Sequence, residues 1–199
     1  MDRTQKSKRY GHAEDVGNLI KRFNAGYLII ACLIAFGLYS YPPTDIYKSQ
    51  LGGVFIWVAA FIVWAYPLSR ANEIIYAFYR DAIEKLNGEA SRSNLKYGER
   101  IKLAVKSYVE LIVNFACIYI LLPADFFVDG KVHSFIDALY FSGVTMTTLG
   151  YGDIVPAHAV TRFFAIYEVV CGFSLIIVSF AVYTGRGIEF NARGQQRPE

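Results

Sequence analysis

Four apolar windows, at residues 24–41, 51–68, 103–122 and 157–183, constrain this chain more than any other feature of its sequence. At 1.5 Å of rise per residue, an 18-residue helix reaches about 27 Å, close to the roughly 30 Å hydrocarbon layer of a bilayer. Each window is therefore predicted to span as an α-helix, because a backbone in lipid must satisfy its own polar groups. The chain is 54% hydrophobic and 16% aromatic, which excludes an ordinary soluble domain. Residues 1–23 are mostly polar and no small-residue cleavage site follows the first window promptly, so no cleavable leader is expected.

The basic residues set an orientation. Residues 1–23 carry six Lys or Arg against three acids, residues 69–106 eight against five, and the tail from Gly185 three against two. Residues 42–50 balance one Lys with one Asp, and residues 123–162 hold two basic residues against four acidic ones. Positive charge stays in the cytoplasm, so both termini and the 69–106 connection are expected inside, at a plasma or cell inner membrane. The formal charge of +3 fits this topology and contact with anionic lipid headgroups, and gives no reason to expect nucleic acid. Cys32, Cys117 and Cys171 fall in predicted spans without CxxC spacing, and His12, His133 and His158 are scattered, so neither a disulfide framework nor a metal centre is expected.

Between Pro123 and Ala157 lies a second pattern. Ser134 is placed to cap a helix, with Asp137 at its third position, and residues 138–146 are apolar. That helix is too short to span and predicts a re-entrant element, which lipid tolerates only where its irregular continuation lines a cavity. Thr148, Leu149, Gly150, Tyr151 and Gly152 follow it. An extended strand with all carbonyls on one side needs alternating backbone conformations, and glycine supplies those with positive φ. Four such strands around an axis would stack oxygens that replace the hydration shell of a cation, with a Thr148 hydroxyl ring at the inner end. The helix before them would aim its partly negative C-terminus at the central cavity.

The segment "TTLGYGD" resembles the signature of tetrameric potassium channels, with Leu149 where many members carry Val. The resemblance extends over about residues 102–188, taking in an outer helix, a pore helix, the filter, Pro156 and an inner helix; "VTMTTLGYGDIVP" is especially similar to voltage-gated and bacterial members. It implies a homotetramer in which Thr148, Leu149, Gly150, Tyr151 and Gly152 hold K+. Thr147, Asp153 and Tyr140 would support them, with Tyr140 taking the place of a common Trp as hydrogen-bond partner of Asp153. K+ would be the permeant ligand, and no cofactor or catalytic residue is expected. Gly172 falls where the inner helix of such channels bends.

Phe173, Ile176, Phe180, Thr184 and Ile188 recur at three- and four-residue steps, one face of the last helix, and are candidates for the cavity and gate, with Phe180 as a dewetting constriction. Glu110 and Glu168 lie within spans, where each must be protonated, paired or turned toward protein. Lys106 and Asn114 are the expected local partners of Glu110, and Glu168 is expected to bond to the pore helix; a sensing role is a second reading for either. Arg70 reads as a cytoplasmic anchor. Neither of the first two spans carries a basic residue at every third position, so no voltage sensor is expected. Ile75, Phe78, Ala82 and Leu86 share one face of an expected amphipathic helix at the membrane surface, with continuation from the second span as one reading, ending at Asn87 and Gly88 and followed by a flexible link over 88–94.

The resulting expectation is an all-α membrane protein with four transmembrane helices, a re-entrant pore helix and a selectivity-filter loop, assembled as a homotetramer. Residues 1–23 form a cytoplasmic segment, 24–68 two transmembrane helices, 69–101 a cytoplasmic helix and linker, 102–188 the pore domain and 189–199 a short tail. Its function would be passive potassium conduction, without a recognisable voltage sensor or ligand-binding domain. Partners would be itself and membrane lipids, with regulation through lipid, pH, voltage across the filter or a separate subunit. A non-selective cation channel or a non-conducting regulatory subunit is the alternative; an enzyme is not expected, because "LGYGD" lacks the strand-to-helix setting and Lys of a phosphate-cradling loop.

Overall fold

The computed structural model describes residues 3–40, 53–87, 95 and 97–194, with side chains over 15–40, 65–84, 87, 95 and 98–177. Among the described residues, five α-helices follow in chain order: α1 (Arg3–Ser40), α2 (Gly53–Leu86), α3 (Tyr97–Ile120), α4 (Phe135–Met146) and α5 (Ala159–Gly194). Among the described residues the only extended pairing is one antiparallel bridge, Phe127 to Pro156. The all-α expectation holds. Asp15–Ser40, Gly98–Ile120 and Ala159–Ile177 are long and apolar enough to cross a membrane. The predicted span over 51–68 falls mostly on residues whose side chains lie outside the description, as does the predicted link over 88–94.

The predicted second span and the amphipathic segment after it are one helix. Pro67 sits inside α2 and removes a backbone donor, yet α2 continues to Leu86. Packing against neighbouring helices supports a helix across such a gap, and Pro67 is itself fully buried. The Asn87 amide donates to the Ile83 carbonyl at 3.0 Å and closes the end where the sequence predicts a stop.

Packing makes α3 the centre of the bundle. Its apolar stretch is 67% buried, against 17% for α1 and 33% for α5. Leu111, Phe115, Ala116, Ile118 and Tyr119 on α3 are fully buried and touch the other helices. Tyr119 and Phe141 meet edge to face at 4.8 Å, and Phe127 meets Phe141 at 5.4 Å, so rings from α3, α4 and the connection between them interlock. The outer faces stay apolar: Leu33, Phe36, Phe163 and Ile166 are each more than three-fifths exposed. Contiguous apolar surface of that kind calls for lipid or another chain against it.

The 12-residue α4 is about 18 Å long, too short to span. Its start is set by a reciprocal cap in which the Asp137 amide donates to Ser134 Oγ at 3.2 Å and the Ser134 amide donates to Asp137 Oδ2 at 2.9 Å. The sequence expectation for this terminus is met in full. Between α3 and α4, two short 3-10 turns, Ala124–Phe126 and Val128–Gly130, carry the chain across the top of the bundle. Ser134→Ala is expected to lower stability by about 1 kcal/mol, read as a shifted unfolding midpoint in detergent micelles.

Candidate functional site

The stretch after α4 departs from every regular conformation. Thr148, Gly150 and Gly152 have φ of 58°, 55° and 77°, so every second residue is left-handed. Glycine adopts this region without penalty, whereas an L side chain costs about 1–2 kcal/mol there. The expected alternation is present, and Thr148 takes one of the three positions that glycine alone was expected to fill. A β-branched residue in this region persists only where its surroundings over-determine it.

Those surroundings are the last carbonyls of α4. The Leu149 and Gly150 amides both donate to the Val144 carbonyl, at 2.9 and 3.2 Å, and the Thr148 amide donates to the Thr145 carbonyl at 3.0 Å. Thr147 gives its amide to the Gly143 carbonyl at 3.1 Å and its hydroxyl to the same oxygen at 2.6 Å. Tyr108 reaches from α3 and donates its phenol to the Met146 carbonyl at 3.1 Å. The end of the helix is thus satisfied by the chain that leaves it and by one phenol, as a helix end away from water requires.

Beyond the glycines, the Tyr140 phenol of α4 faces the Asp153 carboxyl, the two residues expected to pair, and holds that carboxyl below its usual range, with the Asp153 and Ile154 amides and the Lys131 ammonium adding in the same sense. Lys131 also donates to the Asp153 carbonyl at 2.9 Å. Behind the loop, the Phe126 carbonyl accepts from the Ala157 amide at 2.9 Å, the His158 amide at 3.1 Å and the Thr161 hydroxyl at 2.9 Å. His158 stacks on the Phe126 ring at 3.9 Å. The Tyr151 ring is 68% exposed on the single chain.

Gly172 has a clear packing role. A β-carbon there would overlap the Met146 sulfur and lie 3.4 Å from the Met146 carbonyl, so α5 approaches the C-terminal end of α4 as closely as glycine allows. The helix runs unbroken through this position. Phe173 and Ile176 are about half exposed on the protomer surface. Phe180, Thr184 and Ile188 lie on α5, and their side chains fall outside the described residues.

The two intramembrane carboxylates have different partners. Glu168 is fully buried and accepts the Tyr119 phenol at 2.6 Å, with Ser142 of α4 at 2.5 Å, so the expected bond to α4 is made. Glu110 corrects the expectation. It pairs with neither Lys106 nor Asn114 but with Arg70 of α2, whose Nε donates to Oε1 at 2.8 Å and Nη2 to Oε2 at 3.4 Å. Arg70 is accordingly no surface anchor. Its side chain is 7% exposed, it also donates to Glu73 at 2.6 Å, and its guanidinium lies 3.8 Å over the Tyr27 ring. A planar fork suits such a bidentate, stacked site. Asn114, buried one turn away, makes no side-chain hydrogen bond.

Sequence reading identified Glu110 and Arg70 separately and missed that they meet. The available signal was an acid inside one predicted span, which needs a partner, and a basic residue at the edge of another. Tyr108, Tyr119 and Ser142 were not singled out, since a tyrosine or serine in an apolar run carries no mark of what it will touch.

Residues 107–187 match the family model described as ion channel. This region is similar to that family, and it is 38% identical over 81 residues to two-pore potassium channel 3 of Arabidopsis thaliana, covering 39% of this chain and 19% of the relative. Two pore potassium channel c of Oryza sativa subsp. japonica is 40% identical over 75 residues, covering 37% and 16%. Voltage-gated potassium channel Kch of Escherichia coli (strain K12) is 38% identical over 55 residues, covering 28% and 13%. The chain spans less than a fifth of the length of these curated relatives. No solved structure matches it. The similarity points to a channel and not to an enzyme, and with the apolar helices it makes this an integral membrane protein.

Two measurements test the site. Tyr140→Phe removes the donor to Asp153, and the carboxyl titration, followed by carbon NMR, is expected to move up toward the ordinary value of 3.8. Because the folded value is depressed, the stabilisation from this contact is present above the ordinary carboxylate range and is lost as pH falls through the lowered value. Arg70→Ala strands Glu110 in the bundle and is expected to cost about 3–5 kcal/mol in unfolding experiments, with Arg70→Ala/Glu110→Leu recovering part of the loss.

Proposed function

We propose that the chain assembles as a homotetramer and conducts K+ passively through a single central pore. The observation that carries this reading is the left-handed backbone at Thr148, Gly150 and Gly152, positioned at the C-terminus of α4 within a domain similar to proteins named potassium channels. Carbonyls along Thr148, Leu149, Gly150, Tyr151 and Gly152, four sets around an axis, replace the water of a dehydrated K+. Each chain supplies one filter strand, so assembly is part of the mechanism. The exposed apolar faces of α5 and the exposed Tyr151 ring support the reading, since neighbouring protomers would cover them.

In this reading α4 is the pore helix, and its C-terminal dipole favours a cation at mid-membrane. Thr147, Tyr140 and Asp153 hold the filter to it. α3 is the outer helix and α5 the inner helix, whose Gly172, Ile176, Phe180 and Thr184 form hinge and gate. Both termini lie in the cytoplasm, below a plasma or cell inner membrane, with α1 and α2 packed around the pore. Regulation falls to lipid, pH, voltage across the filter or a separate subunit.

Purified protein in liposomes tests the proposal through the flux driven by a potassium gradient and then by an equal sodium gradient. Potassium flux well above sodium flux is expected. Equal fluxes would mean a non-selective cation channel, and no flux with either ion would mean a non-conducting subunit.

A further inference from the structure

The cluster behind the filter holds one hydrogen too few if Glu168 is ionised. Ser142 Oγ lies 2.8 Å from the Ile112 carbonyl and 2.5 Å from Glu168 Oε1. A serine hydroxyl has one hydrogen to give, and a carbonyl can only accept. If Ser142 donates to Ile112, its short contact with Glu168 is a hydrogen bond only when Glu168 carries a proton and donates it. The Tyr119 phenol already donates to the other carboxyl oxygen, at 2.6 Å. Tyr119 to Oε2, Oε1 to Ser142 and Ser142 to Ile112 then form one chain with every hydrogen placed.

The surroundings agree with a neutral acid. Glu168 is fully buried, and no Lys, Arg or His pairs with it among the described residues. The titratable groups that face it are Tyr108 and Tyr119 from α3 and Cys171 from its own helix, and α4 contributes Ser142. An unpaired carboxylate in such a place is costly, and a hydrogen-bonded neutral acid is not. Glu110, the other buried acid, has the arginine that Glu168 lacks.

We propose that Glu168 is a protonated positioning residue, a neutral latch that ties α5 to α3 and to the middle of α4, and so sets where α4 presents the filter. Ser142 lies one turn before Met146, the residue against which Gly172 closes, so latch and close approach fix the same helix end from one side. Loss of the proton turns the donor at Oε1 into a charge and makes Ser142 choose between two acceptors.

Infrared spectroscopy of the full chain in lipid at neutral pH reads the proton directly. The expected result is a protonated-carboxyl C=O stretch that shifts on deuteration, is missing from Glu168→Gln, and moves to higher frequency in Ser142→Ala, where the acid loses its acceptor. No such band in the unaltered chain, or a band indifferent to both Ser142→Ala and Tyr119→Phe, overturns the proposal, and those last two variants decide it even where Glu168→Gln does not assemble. This readout is independent of conduction. The flux arm rests on the function proposed above: Glu168→Gln, whose amide can donate to Ser142 and accept from Tyr119, is expected to keep potassium flux within about twofold, and Glu168→Leu to lose about tenfold or more. Equal losses in the two variants would count against a latch made of hydrogen bonds.

Discussion

A helix that ends against other helices must have its last polar groups satisfied by the protein itself, and the rest of this structure is arranged around that demand. The last turn of α4 meets it with the amides of residues 147–150, the Thr147 hydroxyl and the Tyr108 phenol. Once those carbonyls are occupied, the chain is held in an alternating conformation that Thr148 would otherwise resist. The left-handed threonine is therefore a result of the helix end being closed. α3 stands at the centre because it supplies Tyr108 to that end, Tyr119 to Glu168 and Glu110 to Arg70, linking α4, α5 and α2 respectively.

The bundle mixes two kinds of polar contact, and they differ in what they need. Arg70 and Glu110 are opposite charges that satisfy one another, and removing either exposes the other to a medium that cannot solvate it. Glu168 has only hydroxyls around it, so its own protonation is the means of balance. Reading both as "buried acid" would miss that one is held by attraction and the other by donor count.

Much of the fold was legible beforehand because its causes are local. The length of the apolar windows, the Ser134 and Asp137 cap and the Asn87 stop each rest on a few consecutive residues. The alternating stretch over 148–152 was legible because glycine advertises positive φ, whereas Thr148 gives no such notice; the hydrogen bonds to the last carbonyls of α4 account for it. What the sequence hid was non-local. The partner of Glu110 lies 40 positions away on α2, and local neighbours such as Lys106 competed for that role on paper. The continuity of α2 across Pro67 was one reading of the sequence, and burial among other helices is what lets the helix run through the proline.

The threefold acceptor at Phe126 has a consequence of another sort. Its carbonyl gathers the loop before α4, the segment after residue 152 and the first turn of α5 at one oxygen. Every amino acid owns that oxygen, so a substitution here keeps the acceptor and loses the stack on His158. The tether is written in main-chain geometry, which no side-chain pattern in the sequence announces.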